Sequence, residues 1–312
     1  MPAQQNERVK KFKKYWLPRW QLYLFLLGPV IYTLIFAYYP MTGIQLAFKR
    51  FNLSLGIWGS PWVGLAQFRK LLMVPNFPSI LYNTISLSFY GILAGMPLPI
   101  IFALILNAFP HLRYKKIVQS VSYMPHFISV VIIVGLLHQL FNPRMGLIAT
   151  IFTRFLNSPM PDLFSKSSVF PHMFVWSGIW QSLGWSSIIY IAALTSVDPE
   201  LHEAATIDGA SRLQRVFHLD IPSILPTIVI LTILSAGGIM NVGFEKVYLM
   251  QNRLNIGRSE VISTYVYKVA MVTGGGDFAF ATAIGLFNAL INFTILNLVN
   301  FLAKKVSSTS LW

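Results

Sequence analysis

Cysteine is missing from this 312-residue chain, and acidic side chains are scarce: ten Asp and Glu stand against 24 Lys and Arg. Without cysteine there is no disulfide framework, no thiol nucleophile and no cysteine-ligated metal. Charged residues make up only 11% of the chain, against about 25% in an ordinary soluble domain. Two chemical signatures are absent as well. No G-x-x-x-x-G-K-[ST] phosphate loop occurs, and Gly274-Gly275-Gly276 lacks the Lys and Ser/Thr that would complete one. No H-E-x-x-H metal pair occurs among the six histidines, and His126 and His138 are too far apart along one helix to share a metal.

Apolar residues fill the space that charge leaves, at 55% of the chain. Six runs are long enough to cross a bilayer as helices, which takes about 18 or more apolar residues. They are Trp20–Tyr39, Ile80–Ala108, Val118–Leu140, Phe170–Thr195, Pro222–Met240 and Ala281–Ala303, and none of the six contains Asp, Glu, Lys or Arg. An all-α membrane protein with six transmembrane helices follows. Met96-Pro97-Leu98-Pro99 is expected to bend or break the second span, because each proline removes a backbone donor.

The basic residues set the orientation. Residues 1–19 form a basic arm with Arg8, Lys10, Lys11, Lys13, Lys14 and Arg19, which keeps the amino terminus in the cytoplasm. Six spans return the tail 304–312, with Lys304 and Lys305, to the same side. Lys and Arg are then roughly twice as dense in the inner segments as in the outer ones. The first apolar run follows a basic region as a signal peptide would. It is long for one, no small-x-small cleavage site follows, and it is expected to remain as a span. The outer segments are rich in Pro, Gly and aromatics, with Tyr38, Tyr39, Trp58 and Trp62 where an interfacial aromatic belt belongs. The body 20–303 reads as one membrane domain.

Half of the acids fall in one inner loop: Asp198, Glu200, Glu203, Asp208 and Asp220. The loop carries helix punctuation. Asp198 can cap a helix whose first residue is Pro199, with Glu200 favourable at its positive end. Gly209 permits the left-handed turn that ends it. Ser211 and Gln214 have the spacing of a capping box for a second short helix. Ala204 and Ala205 give the first helix a flat, closely approachable face.

Glu203-Ala204-Ala205, the glycine four residues later, and the pairs Ile221-Pro222 and Leu225-Pro226 resemble the EAA loop of ABC-importer permeases. The run Ala-Thr-Ile-Asp-Gly-Ala after Glu203-Ala204 is similar to that of sugar and oligosaccharide permeases. The outer segment GIQLAFKRFN…GIWGSPWVGLAQF resembles the subgroup for complex oligosaccharides or polysaccharide fragments. The resemblance implies a type I, maltose-permease-like importer fold in the bacterial plasma membrane. It implies a second homologous permease, two copies of a cytoplasmic ATPase and an external solute-binding protein. The chain itself would then be no enzyme and carry no cofactor, ATP and Mg belonging to the partner ATPase. The loop 198–221 would hold the coupling helix, with Glu203, Ala204, Ala205, Asp208 and Gly209 docking on the ATPase.

In this family, substrate contacts lie shortly before the EAA glutamate and in the span after it. That offset implies Ile179, Ser182, Trp185, Ser235, Gly238 and Asn241. Asn288 and Asn292, four apart, share a helical face near them. Tryptophans packed against lipid and asparagines bonded across helices are the plainer account of the same residues. The spans contain no carboxylate of the kind that couples ion-driven carriers. A passive or ion-coupled carrier acting alone is the alternative, and the acidic loop is what argues against it.

Overall fold

A computed structural model describes residues 20–273 and 276–306. The basic arm 1–19, Gly274, Gly275 and the end of the tail lie outside the described residues. The named helices are α1 (Trp20–Thr33), α2 (Phe77–Gly95), α3 (Pro97–Ala108), α4 (Leu112–Tyr123), α5 (Val130–Leu140), α6 (Phe170–Thr195), α7 (Pro199–Ile207), α8 (Arg212–Arg215), α9 (Ile221–Gly237), α10 (Phe244–Met250) and α11 (Phe278–Val306). Shorter helices fill the outer segments, and the described residues form no strand beyond one bridge between Lys49 and Trp62.

Among the described residues, four helical stretches are long and apolar enough to cross a membrane: Trp20–Phe48, Phe77–Ala108, Arg212–Gly237 and Phe278–Lys305. Two expected spans look different. The run Val118–Leu140 is not one rod: α4 and α5 meet at 97°. Pro125 lies at the break, and Ser129 starts α5 afresh by accepting from Ile132 N. The helix α6 is uncharged and has 26 residues, about 39 Å at 1.5 Å per residue. Its three tryptophans, serines and Gln181 make it less apolar than the other spans. The doublet Met96-Pro97 behaves more mildly than expected, because Phe77–Ala108 runs as one span interrupted only at Met96. Pro97 stands at the first turn of α3, where its missing N–H deprives no helical carbonyl of a bond.

Three buried clusters hold the helices together. Phe77, Ile80, Met240, Ile262, Phe280 and Ile284 join α2 to α11 and the outer helices. Leu87, Val134, Phe170, Val247 and Met250 join α2, α5, α6 and α10. Ala103, Leu104, Tyr190, Leu194 and Ile224 join α3, α6 and α9 near the acidic loop. One close helix approach needs Gly184 of α6, since a Cβ there would lie 2.2 Å from Ser122 O of α4. By contrast α1 buries none of its residues, and Phe25 is 81% exposed. An apolar helix with no inward face has lipid or another protein as its partner.

Candidate functional site

The acidic loop folds as its punctuation requires. Asp198 accepts from Glu200 N at 3.0 Å and starts α7. At the other end Gly209 has φ +79°, Gly209 N donates to Thr206 O, and Ala210 N donates to Ala205 O at 2.9 Å. That pair of bonds is a Schellman ending, which satisfies carbonyls that a helix end leaves free. Ser211 and Gln214 form the reciprocal capping box of α8. Arg215 Nη1 donates to Thr206 Oγ1 at 2.7 Å and ties the two short helices. His202 Nε2 lies 3.3 Å from the buried Asp220 Oδ1, near enough for an ion pair though not aligned as a hydrogen bond. The helix α7 is thereby pinned to the entry of α9.

Of the expected docking residues, Glu203, Ala204, Asp208 and Gly209 are exposed, whereas Ala205 is half-buried. The outward stripe of α7 is Glu200, Glu203, Ala204 and Ile207, at the i, i+3, i+4, i+7 spacing of one helical face. Ile207 is 86% exposed, and Leu213 and Phe217 stand out beside it at 70% and 62%. Sequence reasoning missed these three apolar side chains. Their signal was an isoleucine at the acidic, glycine-terminated end of a helix that has nothing apolar to bury there.

The second feature is a cavity of about 610 Å³ between α2, α3, α6, α9 and α10. It brings together Ile179, Ser182, Ser235, Gly238 and Asn241, five of the six residues implied for the path. Trp185 is not in its lining; its ring stacks on His126 at 4.4 Å. Asn241 Oδ1 accepts from Asn292 Nδ2 at 3.2 Å and Asn288 Nδ2 at 3.4 Å, and Asn292 Oδ1 accepts from Met240 N. The asparagines therefore bond α11 to the segment that follows α9, and Asn241 also lines the cavity. Gln181 donates to Ile128 O at the break between α4 and α5.

One lining residue was not foreseen: Lys246, on α10. It is 8% exposed, and Nζ donates to Phe174 O at 2.9 Å and stands 5.1 Å from the Phe174 ring centre. Burial pulls its ammonium down to about 8 from the usual 10.5. The adjacent Glu245 is exposed, since neighbouring helix positions point about 100° apart. The sequence hides this lysine because Glu245-Lys246 reads as an exposed pair.

No group of three or more His, Asp or Glu side chains among the described residues is arranged to hold a metal. His126 and His138 are instead stacked on Trp185 and Phe164 respectively.

Comparison with known proteins agrees with this architecture. Residues 81–308 match the family described as binding-protein-dependent transport system inner membrane component. The chain is 40% identical to the polygalacturonan/rhamnogalacturonan transport system permease protein YteP of Bacillus subtilis, over 93% of this chain and 90% of that one. It is 38% identical to protein LplB of the same organism, over 93% and 91%. Among solved structures it resembles a chain of a bacterial ABC transporter involved in import of the acidic polysaccharide alginate, with a TM-score of 0.87 and 34% identity over 96% of this chain and 99% of that one. A second match is a bacterial alginate ABC transporter in complex with an alginate-pentasaccharide-bound periplasmic protein. Its TM-score is 0.86, with 33% identity over 97% and 99%.

Proposed function

This chain belongs to the binding-protein-dependent transport system inner membrane components, and from that premise we propose that its cavity is half of a sugar path and its helix α7 the lever that moves it. The protein is the permease subunit of an ATP-driven importer of oligosaccharides or polysaccharide fragments, not an enzyme. A second permease completes the path. ATP and its Mg bind on a cytoplasmic ATPase, consistent with the lack of a phosphate loop in this chain. Both termini lie in the cytoplasm, so α7 faces the ATPase and the segments around 40–79 and 241–273 face the external binding protein.

The observation that carries this reading is the tether between the two features. The helix α7 is capped at both ends, presents Ala204 and Ile207 outward, and is joined through His202 and Asp220 to α9. The helix α9 carries Ser235 into the cavity. A groove on the ATPase would grip the outward stripe as other grooves grip amphipathic helices. Its movement would reach the cavity through a rigid element, which is how one site biases another. Asn241, Ser182 and Ser235 offer neutral hydrogen-bonding groups for sugar hydroxyls.

The test is reconstitution with the second permease, the ATPase and the binding protein in proteoliposomes, omitting one component at a time. Oligosaccharide uptake is expected only with all four and ATP. Uptake by this chain alone, driven by a sugar or ion gradient, would contradict the proposal.

A further inference from the structure

A buried ammonium is expensive unless paired, because desolvation disfavours the charged form. The described residues solve that problem for other lysines. Lys49, 2% exposed, donates to Ile57 O at 2.8 Å and Trp58 O at 3.3 Å. Lys70 lies 2.6 Å from Asp277, and Lys268 lies 3.2 Å from Glu260. Lys246 has one carbonyl where Lys49 has two, the Phe174 ring 5.1 Å away, and no carboxylate. An ammonium has three donors, and Lys246 Nζ gives one to Phe174 O, with no carboxylate within ion-pair reach among the described residues. Its other neighbour is Gly178, whose missing Cβ would lie only 3.2 Å from Nζ. Both Gly178 and Lys246 line the sugar cavity. A tether to one helix carbonyl needs no charge, and glutamine would serve for it. A positive charge held dry beside neutral hydrogen-bonding groups fits an anionic ligand that arrives and leaves.

We propose that Lys246 is the specificity-determining residue of the cavity, and that the sugar it selects carries carboxylates: an oligosaccharide of uronic acids. The ammonium supplies the two unused donors to a uronate carboxylate, while Ser182, Ser235 and Asn241 take the hydroxyls. The inference rests on the transport reading above and adds the charge of the cargo and the residue that reads it.

The experiment uses the whole reconstituted complex, with trigalacturonate and its carboxyl-reduced neutral counterpart as probes, and compares wild type with Lys246→Gln and Lys246→Arg. Lys246→Gln keeps a donor for Phe174 O and removes the charge. It is expected to lower trigalacturonate uptake roughly tenfold or more, as for a lost charge-assisted hydrogen bond, while co-purification of the complex is unchanged. Lys246→Arg keeps the charge and is expected to retain most uptake. Should the glutamine variant fail to assemble, Lys246→Met takes its place. Wild-type trigalacturonate uptake in the neutral variant would overturn the proposal, as would equal loss in the arginine and glutamine variants. A wild-type complex that moves the neutral sugar and not trigalacturonate would overturn it and leave the transport reading intact. ATP-driven movement of neither sugar would sink both.

Discussion

Two buried lysines show how little a residue's type says about its task. Lys49 closes an outer loop by capping carbonyls of the short helix 56–59 and lying over Trp62, so Lys49→Met should loosen that loop, leaving two carbonyls unpaired at about 1–3 kcal/mol. Protease nicking between 50 and 60 would report it. Lys246 faces a cavity, and burial brings its ammonium down to about 8, so its charge is present below that pH and lost above it, well before an ordinary lysine. The titratable groups on the helices packed against α10, His138, His172, Tyr190, Tyr265 and Tyr267, are no carboxylates, and on α10 itself Tyr248 and Glu245 are exposed while Lys246 is buried. Uronate uptake by wild type should therefore fall as pH rises from 7 to 9, relative to Lys246→Arg, whose guanidinium stays charged throughout. A constant ratio across that range would count against the assignment. Asn241 is the third case. Asn241→Ala leaves the amides of Asn288 and Asn292 without their acceptor and should reduce uptake several-fold with the complex still assembled. The place of Asn241 in the cavity lining matches the offset from Glu203 by which the sequence singled it out. Lys246 was not singled out, because burial of a lysine depends on which face of a seven-residue helix meets the bundle.

Elements with strong local signals came out as read, and elements decided by tertiary contact did not. Asp198, Pro199, Gly209, Ser211 and Gln214 specify α7 and α8 by backbone chemistry alone, so caps, turn and capping box all formed where expected. Gly209→Val should weaken the turn by about 1–2 kcal/mol, since a β-branched residue resists positive φ. Gly209→Asn should retain more activity, because asparagine tolerates that region. The break between α4 and α5 was harder to read, because Val118–Leu140 is uniformly apolar and Pro125 alone permits either a kink or a new helix. The second is what formed, with Gln181 of α6 donating to Ile128 O at the break. There α6 approaches α4 at Gly184, and Gly184→Ala would force the two backbones apart. The expected result is a loss of about 1–3 kcal/mol, seen as a lower melting temperature of the detergent-solubilised complex.

At the scale of the whole molecule, the apolar runs made a membrane protein evident, while the precise span count depended on how each run bends. A single sequence carries no sign that α1 stands apart from the bundle, because its residues are as apolar as those inside. That separation is an arrangement between this chain and its surroundings. Orientation is testable with a reporter active only in the cytoplasm: it should work when fused after Trp312 and fail near Ser60. In the proposed coupling, work enters this permease through the outward stripe of α7. Ile207→Asp tests it most directly, because a side chain that is 86% exposed contributes little to the fold of the isolated chain. The measurement is ATP hydrolysis and oligosaccharide uptake on the same proteoliposomes, together with retention of the ATPase on the purified permease pair. Ile207→Asp is expected to release the ATPase or leave it hydrolysing without uptake, while the two permeases stay paired. Wild-type uptake with wild-type retention of the ATPase would contradict it.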